Sequence, residues 1–87
     1  MAYRIEIKRS ARKELEKLPK AAQRKVASAI DKLARDPRHS QAEKLTDSGG
    51  EYRAKAGDYR IIYYILDDRV LVFVIAIQHR KEAYRRK

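Results

Sequence analysis

The sequence predicts an α+β fold: a four-stranded, mainly antiparallel sheet with an N-terminal helical hairpin on one face and a short C-terminal helix. Three patterns predict it. The N-terminus alternates apolar and charged residues, two following segments repeat apolar residues every three or four positions, and two later segments are rich in Val, Ile and Tyr. The chain has 87 residues, which suits one domain spanning residues 1–87.

The first half contains a strand and the two helices. Residues 3–8 alternate, with Tyr3, Ile5 and Ile7 on one face, which predicts a half-buried strand. Ser10 offers an N-cap for the first helix. That helix is indicated by apolar residues at spacings of four and three, namely Ala11, Leu15 and Leu18.

The second helix begins near Pro19, which suits a first helical turn because its missing N–H has no partner there in any case. Pro37 should end the helix near Arg35. The apolar stripe of this helix consists of Ala22, Val26, Ile30 and Leu33. Residues 38–50 lose the pattern and are interpreted as a loop that Leu45 attaches to the core.

The second half is a meander of three strands. They are predicted at residues 51–56, 59–66 and 70–77, with turns at Gly57-Asp58 and Asp67-Asp68. The last two strands are apolar on both faces and should be central. Residues 80–87 are interpreted as a short helix or a disordered basic end.

Charge is the first indication of function. The formal net charge is +10, more than solubility requires, and it favours a polyanionic partner, above all nucleic acid. The longest apolar run has eight residues, too few to span a membrane, and no targeting signal is visible. There is no cysteine. We therefore expect a soluble, cytoplasmic protein that needs no membrane and no cofactor.

A group of cations is predicted around the first turn of the meander. Arg53 and Lys55 lie two residues apart on a strand, so both should face away from the core. Arg60 begins the next strand, just across the turn. A protected sheet edge would explain one of these charges, but for three together a phosphate site is at least as good an explanation.

The C-terminal segment could add to this site. Arg80 and Tyr84 are four residues apart and would share a face of a helix. A helix that starts with arginine is stabilised when an anion binds there. His79, Lys81 and Arg85 are candidate contacts to nucleic-acid phosphates. Tyr84 could equally dock the tail on the core, and Arg85 is better explained as part of a frayed basic end.

Other catalytic sets are missing from the sequence. There is no glycine-rich phosphate loop and no His/Asp/Glu spacing typical of a metal site, so no metal is expected. A two-histidine ribonuclease is disfavoured because nothing in the sequence brings His39 near His79.

The chain resembles RelE-type toxins of bacterial and archaeal toxin–antitoxin pairs, over nearly its whole length. The resemblance is carried by the G-x-Tyr-Arg-φ-φ-Tyr pattern around Tyr59 and Arg60, by the His-Arg-x-x-x-Tyr pattern ending at Tyr84, and by the apolar strand between them. It implies a toxin that enters the ribosomal A site, cuts mRNA there, inhibits translation, and is neutralised by a cognate antitoxin in a hetero-oligomeric complex.

The resemblance also assigns residues. The family's basic positions fall on Arg53, Lys55, Arg60 and Arg80, and its C-terminal tyrosine on Tyr84. The first of these is often lysine in the family; because arginine rarely gives up a proton, Arg53 suits a phosphate clamp better than an acid or base.

These residues permit an RNA cleavage that uses the RNA's own 2′-OH as nucleophile. Arg60 and Arg80 would stabilise charge on the phosphate. Repulsion from Arg53 and Arg60 would favour the neutral amine of Lys55, which could then transfer a proton. Tyr84 is a second proton-transfer candidate, His79 a third; which group is base and which is acid stays open.

Three alternatives remain. A ParE-like toxin of similar fold would inhibit DNA gyrase and not cut RNA. A non-catalytic RNA- or ribosome-binding domain would bind without cleavage. An inactive toxin would bind only its antitoxin.

Overall fold

The computed structural model describes residues 2–39, 42–45 and 49–79. Within them the chain forms five strands, two α-helices and one 3-10 turn. In chain order these are β1 (Arg4–Ile7), α1 (Arg9–Glu16), α2 (Lys20–Arg35), β2 (Ala42–Lys44), β3 (Tyr52–Ala56), β4 (Tyr59–Leu66), the 3-10 turn Asp67–Arg69, and β5 (Leu71–His79).

The strands form one sheet in the order β1-β5-β4-β3-β2. Strand β1 runs parallel to β5, and every other neighbouring pair is antiparallel. This confirms the mainly antiparallel α+β architecture, with β4 and β5 central. The sheet has five strands and not four, because Ala42–Lys44, interpreted from sequence as loop, pairs with β3.

The helical hairpin covers one face of the sheet, as predicted. Its buried residues are Ala11, Val26, Ile30 and Leu33, which pack against the sheet residues Ala54, Ala56, Ile61, Tyr63, Val72, Val74 and Ile77. Among the described elements, no helix packs on the opposite face of the sheet, which we call the open face. That face therefore presents the alternate residues of each strand to its surroundings.

The helix ends differ in part from expectation. Helix α1 begins at Arg9, with Lys8 at the cap position, so Ser10 lies inside the helix and the predicted Ser10 cap is wrong. The Gln23 side-chain amide closes the turn between the helices, donating to the carbonyl oxygens of Glu16 and Leu18, both at 3.0 Å. Helix α2 ends at Arg35, two residues before Pro37, as predicted.

A β-bulge interrupts the pairing of the two central strands. Ile62 pairs with Ala76 but Tyr63 pairs with Val74, so Ile75 is an extra residue on β5. An extra residue reverses the alternation of side chains beyond it. Val72 and Val74 face the helices before the bulge, and Ile77 does so after it.

No helix among the described parts of the chain is long and apolar enough to cross a membrane.

Candidate nucleic-acid interface on the open face

Lys55 and Arg60 form the centre of the candidate site. They are directly paired across β3 and β4, so both side chains lie on the open face, and Arg60 is paired in turn with Gln78 on β5. Side chains paired in this way have Cβ atoms about 5 Å apart. The row Lys55–Arg60–Gln78 thus places two cations beside an amide, as the sequence predicted for the two cations.

A two-residue turn creates this row. Gly57 and Asp58 connect the strands, and Gly57 has φ +62°, a backbone conformation that favours glycine. Because like charges directly opposite one another on a sheet destabilise it, an anion bound between Lys55 and Arg60 would remove an unfavourable interaction. The row can therefore bind a phosphate.

Arg53 also lies on the open face, but a carboxylate accompanies it. Glu43, opposite Arg53 on β2, accepts a hydrogen bond from the Arg53 guanidinium at 2.6 Å. That bond lowers the pKa of Glu43 below its usual range, and the charges of Lys55 and Arg60 lower it further. The three predicted cations therefore lie together on the open face, and the guanidinium of Arg53 is bonded to Glu43.

Sequence reasoning missed Glu43. Its strand has only three residues, Ala-Glu-Lys, which show no apolar alternation. The strand exists because β3 offers it a partner edge, and a single sequence does not reveal that pairing.

His79 lies on the other face of the sheet. It pairs with Tyr59, and the two rings meet edge to face with centroids 5.1 Å apart. Tyr59 packs against the core under the helices. The bulge at Ile75 is the reason: without it, His79 would share a face with Arg60. The structure thus brings Arg53, Lys55 and Arg60 together and separates the His79 side chain from them.

The remaining predicted site residues, Arg80, Lys81, Tyr84 and Arg85, lie outside the described residues. Strand β5 ends at His79, one residue before Arg80. Gln78, the residue before His79, belongs to the row of Lys55, Arg60 and Gln78. The described chain therefore ends next to this row.

A cavity of about 210 Å³ adjoins the row. Its lining combines apolar and polar side chains. It is lined by Leu45, Glu51, Arg53, Ile62, Ile75, Ala76 and Gln78. Glu51 accepts a hydrogen bond from the Tyr64 hydroxyl at 3.2 Å. Burial raises the pKa of Tyr64, and the bond to Glu51 raises it further.

Among residues 2–39, 42–45 and 49–79, no three His, Asp or Glu side chains are placed to hold a metal ion. The chemistry available beside the Lys55–Arg60–Gln78 row is that of cations, an amide, and the carboxylates of Glu43 and Glu51.

Comparison with known proteins places these features in a family. The family model described as "ParE toxin of type II toxin-antitoxin system, parDE" matches residues 5–84. Toxin RelG of Mycobacterium tuberculosis is 31% identical over 87 residues, covering 99% of this chain and 100% of RelG. The mRNA interferase toxin RelE of Escherichia coli K12 is 31% identical over 88 residues, covering 97% of this chain and 92% of that protein.

Solved structures agree in fold. The archaeal RelE–RelB complex from Pyrococcus horikoshii matches with a TM-score of 0.80 and 32% identity, over 92% of this chain and 97% of the matched chain. The intact E. coli RelBE toxin–antitoxin complex matches with a TM-score of 0.79 and 28% identity, over 90% and 96% of the two chains. The chain described here therefore belongs to the RelE/ParE superfamily of toxins from type II toxin–antitoxin systems.

Proposed function

We propose that this toxin is an endoribonuclease that cleaves mRNA on the ribosome and thereby inhibits translation. The observation that carries the proposal is the direct pairing of Lys55 with Arg60 on the open face. Two cations held opposite one another suit a phosphate of an RNA chain. The proposal is supported by the similarity to the E. coli protein named mRNA interferase toxin RelE.

The proposed reaction is an attack by the RNA 2′-OH on the adjacent phosphorus, with departure of the 5′-oxygen of the next nucleotide. The proton leaves the 2′-OH, and another proton is delivered to the departing oxygen. Arg60, with Arg80, stabilises the additional negative charge on the phosphate, because a guanidinium donates two parallel hydrogen bonds to it. Lys55 and Tyr84 are the proposed proton-transfer groups.

Arg53 has a supporting part in this proposal. Its guanidinium is already bonded to Glu43, and the negative charge of Glu43 weakens its attraction for a phosphate. We assign Arg53 to RNA binding next to the reacting phosphate, and Lys81 and Arg85 to contacts beyond it. The His79 ring packs on Tyr59 on the face that the helices cover, so we give His79 no contact with this phosphate.

We further propose that a cognate antitoxin binds and neutralises this chain in a hetero-oligomeric complex. The proposal is supported by the RelE–RelB complex of P. horikoshii and the RelBE complex of E. coli, whose toxin chains share this fold. A basic toxin, with net charge +10, is also suited to a partner of opposite charge.

The test is inducible expression in bacteria, with mapping of mRNA 5′ ends. The wild-type toxin should produce new 5′ ends within translated codons, and Arg60→Ala and Arg80→Ala should each lose them. Arg4→Ala is a matched control, because Arg4 lies at the far end of the open face on β1 with a side chain 73% exposed. New 5′ ends that persist in a folded Arg60→Ala protein would exclude the proposed site.

A second candidate is favoured by the description of the matched family model, which names ParE toxins. A ParE-like toxin would inhibit DNA gyrase. A supercoiling assay with purified gyrase separates the two: the ribonuclease proposal expects unchanged supercoiling, whereas inhibition of gyrase without new mRNA ends would replace it. Tight RNA binding without new ends would indicate a non-catalytic binding domain.

A further inference from the structure

The outer edge of β5 is unpaired over its last residues. Strand β1 pairs with β5 only from Leu71 to Val74, and the Lys8 N–H donates to the Val74 carbonyl at 2.8 Å before the chain turns into α1. Within the described residues, no strand pairs with this edge over residues 75–79. Gln78, the third member of the row on the open face, lies in this stretch, and β4 is the strand that pairs with it. The backbone groups along such an edge need other partners.

A carboxylate on α1 takes the place of a strand at this edge. The Ile77 N–H donates to a carboxylate oxygen of Glu14 at 3.1 Å. Ile77 is only 4% exposed, and a buried N–H without an acceptor destabilises a protein. Helix α1 is itself fixed against the sheet, because Ala11 is buried and Leu15 packs against the core. Glu14 therefore connects a fixed helix to the backbone of β5.

The Glu14 contact lies just after the β-bulge. A bulge disrupts the ladder locally, and here it separates the part of β5 that pairs with β1 from Ile77. Beyond the bulge, the position of β5 depends on β4 and on contacts from the face that the helices cover. Two such contacts are Glu14 on the Ile77 N–H and the Tyr59 ring on His79. They fix the residues on either side of Gln78.

We propose that Glu14 is a positioning residue for the cleavage site. By holding the Ile77 backbone, it sets the place at which Gln78 joins the row on the open face. Arg80, the second arginine assigned to the phosphate, follows Ile77 by three residues in the sequence. The inference rests on the proposed function, because the site that Glu14 serves is the proposed phosphate site. It gives a helix on the covered face of the sheet a part in cleavage.

The two cations of the row do not depend on this contact. Lys55 and Arg60 lie on β3 and β4, which pair with each other along the whole of β3. Loss of the Glu14 contact should therefore leave the binding of RNA phosphates nearly intact. Cleavage demands more, because a displacement of about 1 Å in a catalytic site can lower the rate about 100-fold. We therefore expect Glu14 to affect the rate of cleavage far more than the affinity for RNA.

The test compares toxin variants on ribosomes programmed with a short mRNA, with the toxin in excess. Glu14→Ala removes the acceptor of the Ile77 N–H. It should lower the cleavage rate at saturation by about tenfold or more, while the half-saturating toxin concentration changes by less than about twofold. Glu14→Gln keeps an acceptor oxygen at the same position, so its rate should stay within about threefold of the wild type.

Glu16→Ala is the matched control. It removes a carboxylate from the same helix and raises the net charge by the same amount as Glu14→Ala, and the Glu16 side chain is exposed. Its cleavage rate and half-saturating concentration should equal those of the wild type. Any effect of the added positive charge on RNA binding is thereby separated from the effect of the Ile77 contact.

Amide hydrogen exchange, followed by NMR, measures the contact independently of cleavage. The Ile77 amide should exchange slowly in the wild type and at least about tenfold faster in Glu14→Ala. It should remain slow in Glu14→Gln and in Glu16→Ala. Val72 is the internal reference, since it pairs with both β1 and β4. Its exchange should be the same in every variant, which verifies that the sheet is intact.

Three results overturn the proposal. An Ile77 amide that exchanges at the wild-type rate in Glu14→Ala would mean that Glu14 does not hold β5. Exchange that becomes faster to the same extent at Val72 and Ile77 would mean that Glu14 stabilises the whole fold. Faster exchange at Ile77 alone, with the cleavage rate of Glu16→Ala, would mean that the contact holds the strand and has no part in cleavage.

Failure of the proposed function has a different signature. If the wild-type toxin leaves the mRNA on the ribosome intact, the cleavage proposal fails before any variant is compared, and the role of Glu14 in cleavage fails with it. If the wild type cleaves the mRNA and Glu14→Ala cleaves it at the rate of Glu16→Ala, the proposed function holds and the positioning role alone fails.

Discussion

Arg38 and Asp67 form a bidentate ion pair at the end of the sheet opposite the Gly57-Asp58 turn. Two nitrogens of the guanidinium donate to the two carboxylate oxygens, at 2.7 and 3.1 Å. The Tyr3 hydroxyl also donates to Asp67, at 2.8 Å. The Arg38 guanidinium lies over the Tyr52 ring, with its central carbon 5.7 Å from the ring centroid. The Asp67 carboxylate thus connects the residue before β1 and the segment after α2 to the turn between β4 and β5.

The Asp67 contacts predict a loss of stability in acid. Hydrogen bonds from Arg38, and then Tyr3, lower the pKa of Asp67 below its ordinary value. A lowered folded-state pKa gives a stabilisation that is complete above the ordinary carboxyl pKa, about 4, and is lost as the pH falls below it. Chemical denaturation from neutral pH to about pH 3 should therefore show decreasing stability.

Asp67→Asn should reduce this acid dependence, and it should lower stability at neutral pH, where the charged pair is complete. Some dependence will remain, because the pKa of Glu43 is lowered in the same direction by Arg53. Asp68→Asn is the control, a neighbouring carboxylate outside the Arg38 contact. If Asp67→Asn and Asp68→Asn have the same acid profile as the wild type, the pair does not stabilise the fold.

Tyr63 should be one of the most sensitive residues of the core. It is 0% exposed, its hydroxyl donates to the Pro37 carbonyl at 2.7 Å, and its ring stacks on Tyr52. Tyr63→Phe leaves that carbonyl without its donor, so it should lower the free energy of unfolding by about 1–3 kcal/mol. Tyr59→Phe serves as comparison, since the Tyr59 ring packs edge to face on His79. Equal small losses in urea titrations would contradict the assignment.

Burial also raises the pKa of the Tyr63 phenol above its ordinary value. A raised folded-state pKa means that its stabilisation is complete below the ordinary phenol pKa, about 10, and is lost as the pH rises above it. The difference in stability between the wild type and Tyr63→Phe should accordingly shrink in alkali.

Some elements and site residues could be predicted from a single sequence, and others could not. Strand β4 extends over Tyr59–Leu66, the bounds predicted, because β-branched and aromatic residues follow an unambiguous turn. Local spacing likewise predicted Lys55 opposite Arg60. Glu43 and the face of His79 depend instead on pairing between strands, through β2 and through the bulge at Ile75. Such pairings are decided by tertiary packing, which the local pattern does not contain.

Val70 has a backbone conformation that a β-branched residue disfavours. It has φ +50° in the turn before β5 and is 39% exposed. A β-branched residue in this left-handed region is strained by about 1–2 kcal/mol. Val70→Asn should stabilise the protein by about 1 kcal/mol, since asparagine tolerates the conformation, and Val70→Ala should have a smaller effect. Thermal unfolding checks the order; a destabilised Val70→Asn would show that the Val70 side chain has a packing role.

The salt dependence of RNA binding separates a phosphate site from a diffuse basic surface. For single-stranded RNA the logarithm of the binding constant should fall with the logarithm of salt concentration, with a slope of about −0.7 for each phosphate contacted. Lys55→Gln and Arg60→Gln should each make the slope less negative, by up to about 0.7. Lys32→Gln removes the same charge on the exposed side of α2 and should leave the slope almost unchanged. Titrations of fluorescent oligouridylate at several salt concentrations measure all four proteins. Equal changes of slope in the three variants would mean that RNA responds to the net charge of +10 and not to the Lys55–Arg60 pair.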